Sequence, residues 1–238
     1  MSIESKNDVG AAADMSMLQL SDSFFPTGMY SMSNGLEAIF YSKKKMKSTE
    51  ELRDLIKTLL EYQIGPADCT ALGNAYEFAQ KFNLPKLIEV DRAIFSMKLV
   101  QEIRDASIRS GTQLVRCIRS FSDNKMLAQY EDSIRGRQAF GPYPVALAVA
   151  ANAFLIPKRK AALMMLYSFS VSMVGAALRL GMLQHFDGQK VIDELKPTVL
   201  DVINANINRP IEGIWQFAPS MDILQISHER MNSKMFIT

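Results

Sequence analysis

Two histidines, His185 and His228, are the only imidazoles in this 238-residue chain, and His228-Glu229 is the one place where an imidazole and a carboxylate adjoin. Such a pair suits general acid–base work. No Gly-x-Ser-x-Gly elbow accompanies it, however, and a single histidine near a chain end more often hydrogen-bonds than catalyses. Phosphate chemistry lacks its usual apparatus too. The motif G-x-x-x-x-G-K-[ST] is absent, and Gly28 to Gly35 carries no lysine to neutralise phosphate charge. The two cysteines, Cys69 and Cys117, are expected on separate helices, and neither Cys-x-x-Cys nor His-x-x-x-His spacing occurs. A preformed metal centre, a cofactor site and a catalytic residue are therefore not expected. Transient coordination by His228, Glu229 or Asp222 needs no such spacing, and carboxylate with imidazole suits nickel, so direct nickel carriage stands as an alternative.

Charge excludes a further class. The formal net charge is +2 and the pI about 8.4, too near balance for phosphate-backbone attraction to dominate. Lys43, Lys44, Lys45 and Lys47, and the turn Lys158-Arg159-Lys160, are the basic clusters a nucleic-acid regulator would use. They read instead as the charged ends of helices. With two cysteines, fifteen methionines and no secretory pattern at its start, the chain fits a reducing cytoplasm.

The segment Leu18 to Glu37 does not read as ordinary core. Pro26 and Gly28 break the backbone, and small hydroxyl residues and Gly35 surround one aromatic, Tyr30. Small polar groups around an aromatic anchor suit close protein contact. A tight helix crossing inside the monomer is the alternative.

The elements that must position these residues read as helices throughout. Ser48 and Glu51 form a capping box, and Leu52, Leu55, Ile56, Leu59 and Leu60 mark one face of a helix expected to end near Ile64-Gly65. Pro66 then suits the first turn of the next helix. From Leu99 to Ile118 the face Ile103, Ser107, Ser110, Gly111, Leu114, Ile118 is small at its centre, so a neighbouring helix can approach closely there. Gln138 to Pro157 and Ala161 to Leu178 contain no charged residue. Prolines, Asn152 and three serines argue against membrane spans and for the two central helices of a bundle. A further amphipathic helix begins at Asp187 and is interrupted or kinked at Pro197. The expected architecture is all-α: residues 1–14 a flexible leader, and 15–238 a single-domain multi-helix bundle with two very apolar central helices. From about residue 210 a tail is expected to leave the core.

The same residues resemble a known family. Leu18-x-Leu20, Pro26-x-Gly28, Tyr30, Ser31-x-Ser33-x-Gly35-Leu36-Glu37 is similar to the opening motif of the urease accessory protein UreF family. Arg179-Leu180-Gly181 with Asp187-Gly188-Gln189, and Gly141 to Ala148 with Tyr143-Pro144, resemble two later family segments. Pro219, Asp222, His228-Glu229 and Phe236 are similar to the family's ending. Lys234-Met235-Phe236 departs from the usual Arg-Leu-Phe, keeping the charge but losing the planar fork of arginine.

The resemblance implies an all-α homodimer that joins UreD (also called UreH) and the GTPase UreG in the complex loading nickel into apo-urease. It implies no enzyme activity, no nucleic-acid binding and no membrane attachment. Carried over by position, Phe25, Pro26, Gly28, Tyr30, Ser31, Ser33, Gly35, Glu37 and Arg179 would contact partners. His228, Glu229, Lys234 and Phe236 would belong to a tail that orders on UreD.

Overall fold

A computed structural model describes residues 3–42 and 48–238, with the side chains of residues 3–7 and of Tyr30 left aside. Among the described residues there are eleven α-helices and no strand. In chain order they are α1 (Ile3–Ser21), α2 (Leu36–Tyr41), α3 (Thr49–Leu59), α4 (Thr70–Gln80), α5 (Leu84–Met97), α6 (Gln101–Arg119), α7 (Lys125–Arg135), α8 (Tyr143–Ala153), α9 (Lys158–Arg179), α10 (His185–Asn206) and α11 (Pro219–Glu229). Local chemistry accounts for several boundaries. The Ser48 hydroxyl accepts from the Glu51 N–H at 3.3 Å, and Asn83 and Asn124 cap α5 and α7 in the same way. The lysines Lys43 to Lys47 lie outside the described residues apart from their place before this cap.

The apolar segments form α8 and α9. Val145 to Ala151 of α8 are all buried, enclosed by α4, α6 and α9. Among the described residues α9 alone is long and apolar enough to cross a membrane, and 61% of its most apolar window is buried inside the bundle. Two of its serines donate to backbone carbonyls. Ser170 Oγ donates back to the Leu166 carbonyl at 2.9 Å, and Ser172 Oγ donates to the Met29 carbonyl at 3.0 Å. The second bond fastens the loop before α2 to the bundle.

Three expectations need correction. First, the chain does not stop being helical at Gly65: residues Leu60–Cys69 continue α3 into α4 as a π-helix with Pro66 inside it. Wider i→i+5 turns accommodate a ring with no N–H to donate. The Tyr62 carbonyl, four residues before the proline, instead accepts from the Phe217 N–H at 2.8 Å. Second, residues 3–14 belong to α1 where a flexible leader was expected. Ala13 and Leu20 bury against the core, and Lys160 pairs with Asp14 at 2.5 Å. Third, the chain after residue 210 does not leave the core. Its N–H groups pair with Tyr62 and Pro66, and Phe236 and Thr238 are only 3% and 1% exposed. Pro197 does not end α10, which runs through it to Asn206.

The close approach foreseen at Gly111 is present: α6 packs on α8, and the nearest atoms come from the turn entering α8 and from its first residue. A Cβ there would lie 2.1 Å from the Gly141 carbonyl oxygen, in the turn that leads into α8. Only hydrogen fits.

Candidate docking site

Glu37, at the start of α2, and His228, near the end of α11, are 1% and 0% exposed, and the fold holds them against each other. His228 Nε2 lies 3.0 Å from Glu37 Oε2, and His228 Nδ1 lies 2.7 Å from Glu102 Oε2 at the start of α6. With a carboxylate beside each ring nitrogen, His228 bridges the two carboxylates, one from each of two helices. Lys234 Nζ continues the chain to Glu102 Oε1 at 2.9 Å and donates to the Glu229 carbonyl at 3.2 Å. The relay is thus buried at Glu37 and His228 and reaches the surface at Lys234, whose ammonium offsets carboxylate charge there.

Around this relay the C-terminal residues close back on the opening motif as a strap. The N–H groups of Met235 and Phe236 donate to Glu37 at 2.8 and 3.1 Å, and the Ile237 N–H donates to the Ser31 carbonyl at 2.9 Å. The Ser33 N–H donates to the Thr238 carbonyl at 2.9 Å, and the Ser33 hydroxyl donates to the same oxygen. Arg179 of α9 places its guanidinium 4.3 Å from the centre of the Phe236 ring and donates Nε–H to the Gly175 carbonyl at 3.1 Å. Glu229 Oε1 accepts from the Glu102 N–H at 2.8 Å, which caps α6, whose own N-cap Val100 has no side-chain acceptor.

The residues singled out from sequence thus divide into two sets. Ser31, Ser33, Glu37, Arg179, His228, Glu229, Lys234 and Phe236 are brought together in the relay and strap. Gly35 adjoins them with φ +90, and a Cβ there would meet Gln225 Cγ of α11 at 2.9 Å, so the motif glycine serves close internal packing. Phe25 points into the core, whereas Pro26 and Gly28 are exposed. The side chain of Tyr30 lies outside the described residues. Much of the motif therefore packs within the monomer, the alternative reading of the small-residue segment. Glu102 was missed. A glutamate at the start of an amphipathic helix looks like ordinary helix-dipole compensation, and nothing local distinguishes it.

The polar groups of this site are engaged with one another. Both nitrogens of His228 are engaged by carboxylates, Glu229 is held by a backbone N–H, and Asp222 accepts from Gln63 Nε2 at 3.3 Å. Among the described residues no three His, Cys, Asp or Glu side chains converge as metal ligands. Burial, followed by the adjacent Asp68 charge, pushes the Cys69 thiol up to about 12, which keeps it unreactive.

The relay has a pH signature. Burial pushes the Glu37 carboxyl up, but the His228 hydrogen bond, the N–H groups of Met235 and Phe236 and the His228 charge together outweigh it, leaving the group below its ordinary 4.5. A depressed acid stabilises the fold above its unfolded-state value, and that contribution disappears as pH falls through the folded-state value. The strap is therefore expected to loosen in acid below the ordinary glutamate range. Amide protection at Met235 and Phe236, measured by hydrogen exchange at pH 3 and pH 7, checks this; equal protection factors would refute it.

Comparison with known proteins supplies the last observation. The family model described as UreF matches residues 46–196. The chain is 28% identical to the urease accessory protein UreF of Trichodesmium erythraeum (strain IMS101), covering 93% of this chain and 95% of that one. It is 27% identical to the protein of that name from Bacillus sp. (strain TB-90), covering 94% and 98%. Urease accessory protein UreF 1 of Brucella melitensis is 31% identical over 93% of this chain and 91% of its own length. An all-α chain whose opening motif and ending close on each other, matched by that model over most of its length and by those relatives nearly end to end, belongs to the UreF family of urease accessory proteins.

Proposed function

We propose that this protein is a non-catalytic scaffold and regulator of urease maturation, joining UreD (UreH) and the GTPase UreG in the cytoplasmic complex that inserts nickel into apo-urease. Its surfaces bias the GTPase cycle so that hydrolysis and metal release accompany complete assembly. The observation that carries this reading is the strap. The opening motif and the C-terminus, far apart in sequence, form one composite surface with a rigid ionic core beneath it and Pro26, Gly28, Met235 and Ile237 exposed around it. A preorganised surface of this kind spares a partner the cost of ordering it. Self-association is supported separately by an apolar groove of about 470 Å³ between α1, α9 and α10, whose wall includes Leu18, Leu163, Tyr167 and Leu200.

Truncation after Met231 tests the docking role while sparing the relay's histidine. Removal of Asn232 to Thr238 takes away Phe236 and the N–H donors to Glu37 but leaves His228 between its carboxylates. Co-purification with UreD is expected to be lost, with helical content and dimerisation retained and Tm lowered. An unaffected complex would refute the assignment of the strap to the docking surface.

A further inference from the structure

Two adjoining cavities lie beneath the opening-motif loop. The larger, about 60 Å³, has a polar wall formed by Asn34, Asp68, Lys98, Ser107 and Ser110, set among methionine and aromatic side chains. The smaller, about 10 Å³, shares Asn34, Ile64, Lys98 and Ile103 with it and extends to Gln225 and Asp222 of α11. Each holds a deeply buried polar atom with no hydrogen-bond partner among the described residues: Ser110 Oγ in the first and Gln225 Oε1 in the second, on residues 1% and 2% exposed. Lys98, itself 5% exposed, directs two ammonium protons to Asp68 Oδ1 and Oδ2 at 2.9 and 3.0 Å and retains a third donor.

We infer that these cavities are binding sites for ordered water, which bridges Ser110 Oγ to Lys98 Nζ in the larger and satisfies Gln225 Oε1 in the smaller. The ligand class follows from size and charge. One water needs roughly 10–15 Å³ of such space and two to four polar partners, so the larger cavity accommodates a short chain and the smaller about one molecule. A cation is disfavoured by the Lys98 ammonium on the shared wall, and an anion by the Asp68 carboxylate. The ligand that both donates to Gln225 Oε1 and accepts from Lys98 Nζ is water. This inference concerns the floor of the loop and stands independently of which partner docks above it.

Ser110→Ala gives opposite results for wet and dry cavities. In a hydrated cavity the hydroxyl is a water ligand, and its loss is expected to lower Tm by about 3 °C. In a dry one the substitution removes an unsatisfied hydroxyl from an apolar space and raises Tm. Water-to-protein nuclear Overhauser effects on the unmodified protein provide a second readout that needs no variant. Long-lived water signals are expected at the Asn34 and Ser110 amides, and the Ser110 signal is expected to weaken in S110A. A raised Tm in S110A, or no bound-water signal at either amide, would overturn the inference.

Discussion

His228→Ala is expected to lose about 3–5 kcal/mol of folding stability, the range for removing one partner of a buried, hydrogen-bonded carboxylate. The reason is what remains behind. Glu37, 1% exposed, would face Glu102 across an emptied site, held only by the Met235 and Phe236 N–H groups while Lys234 pairs with Glu102. His228→Gln separates charge from hydrogen bonding, because one amide can donate to a single carboxylate and carries no charge. It is expected to fall between wild type and alanine. Urea denaturation with a slope common to all three variants gives the comparison directly. Losses under about 1 kcal/mol for the alanine variant would mean that the relay is not the keystone of this end of the molecule. Because Met235 and Phe236 donate to Glu37, the same variant should also release strap amides to exchange before global unfolding.

Asp91→Ala is the second large effect, expected at about 4 kcal/mol. Asp91 is 0% exposed and accepts three hydrogen bonds: from the Tyr130 hydroxyl at 2.6 Å, the Phe140 N–H at 2.8 Å and the Gly141 N–H at 3.0 Å. Burial pushes its carboxyl above the ordinary aspartate value, and those three bonds only partly compensate. Removing the carboxyl strands three buried donors, each worth roughly 1–3 kcal/mol when left unpaired, with some relief from local rearrangement. Asp91→Asn keeps the shape but turns an amide donor toward at least one existing donor, and is expected to cost about half as much. The two variants should also loosen the turn before α8, detectable as lost protection at Phe140 and Gly141. A fully protected turn in D91A would show that the close seating of that turn on Gly111 suffices to hold it.

Neither Asp91 nor Glu102 was legible in the sequence, and their cases share a cause. An aspartate within α5 and a glutamate in the first turn of α6 are unremarkable in composition, spacing and propensity. Their importance comes from groups on other helices: Tyr130 and the turn at 140–141 for one, His228 and Lys234 for the other. By contrast the Ser48–Glu51 cap, the apolar character of α8 and α9 and the small centre of α6 are local patterns, and each appears where the residues place it. Pro66 marks the limit of such reading. Its usual meaning is a boundary, and only the surrounding packing, with the Phe217 N–H taking up the Tyr62 carbonyl, lets a π-helix carry the chain through it.

What the amino-acid sequence determined by itself is the all-helical class, the two apolar central helices and the resemblance to UreF, because helical periodicity, caps and family motifs are read over short stretches of chain. Tertiary structure decided that the motif's glutamate and the C-terminal histidine are partners, 191 residues apart, and that Glu102, 126 residues from His228, completes the relay. It also turned an expected free tail into a strap. A composition that reads as mixed and exposed gains order when its N–H groups find a buried carboxylate and Phe236 finds a pocket beneath an arginine, and neither partner is encoded near the residues that use it.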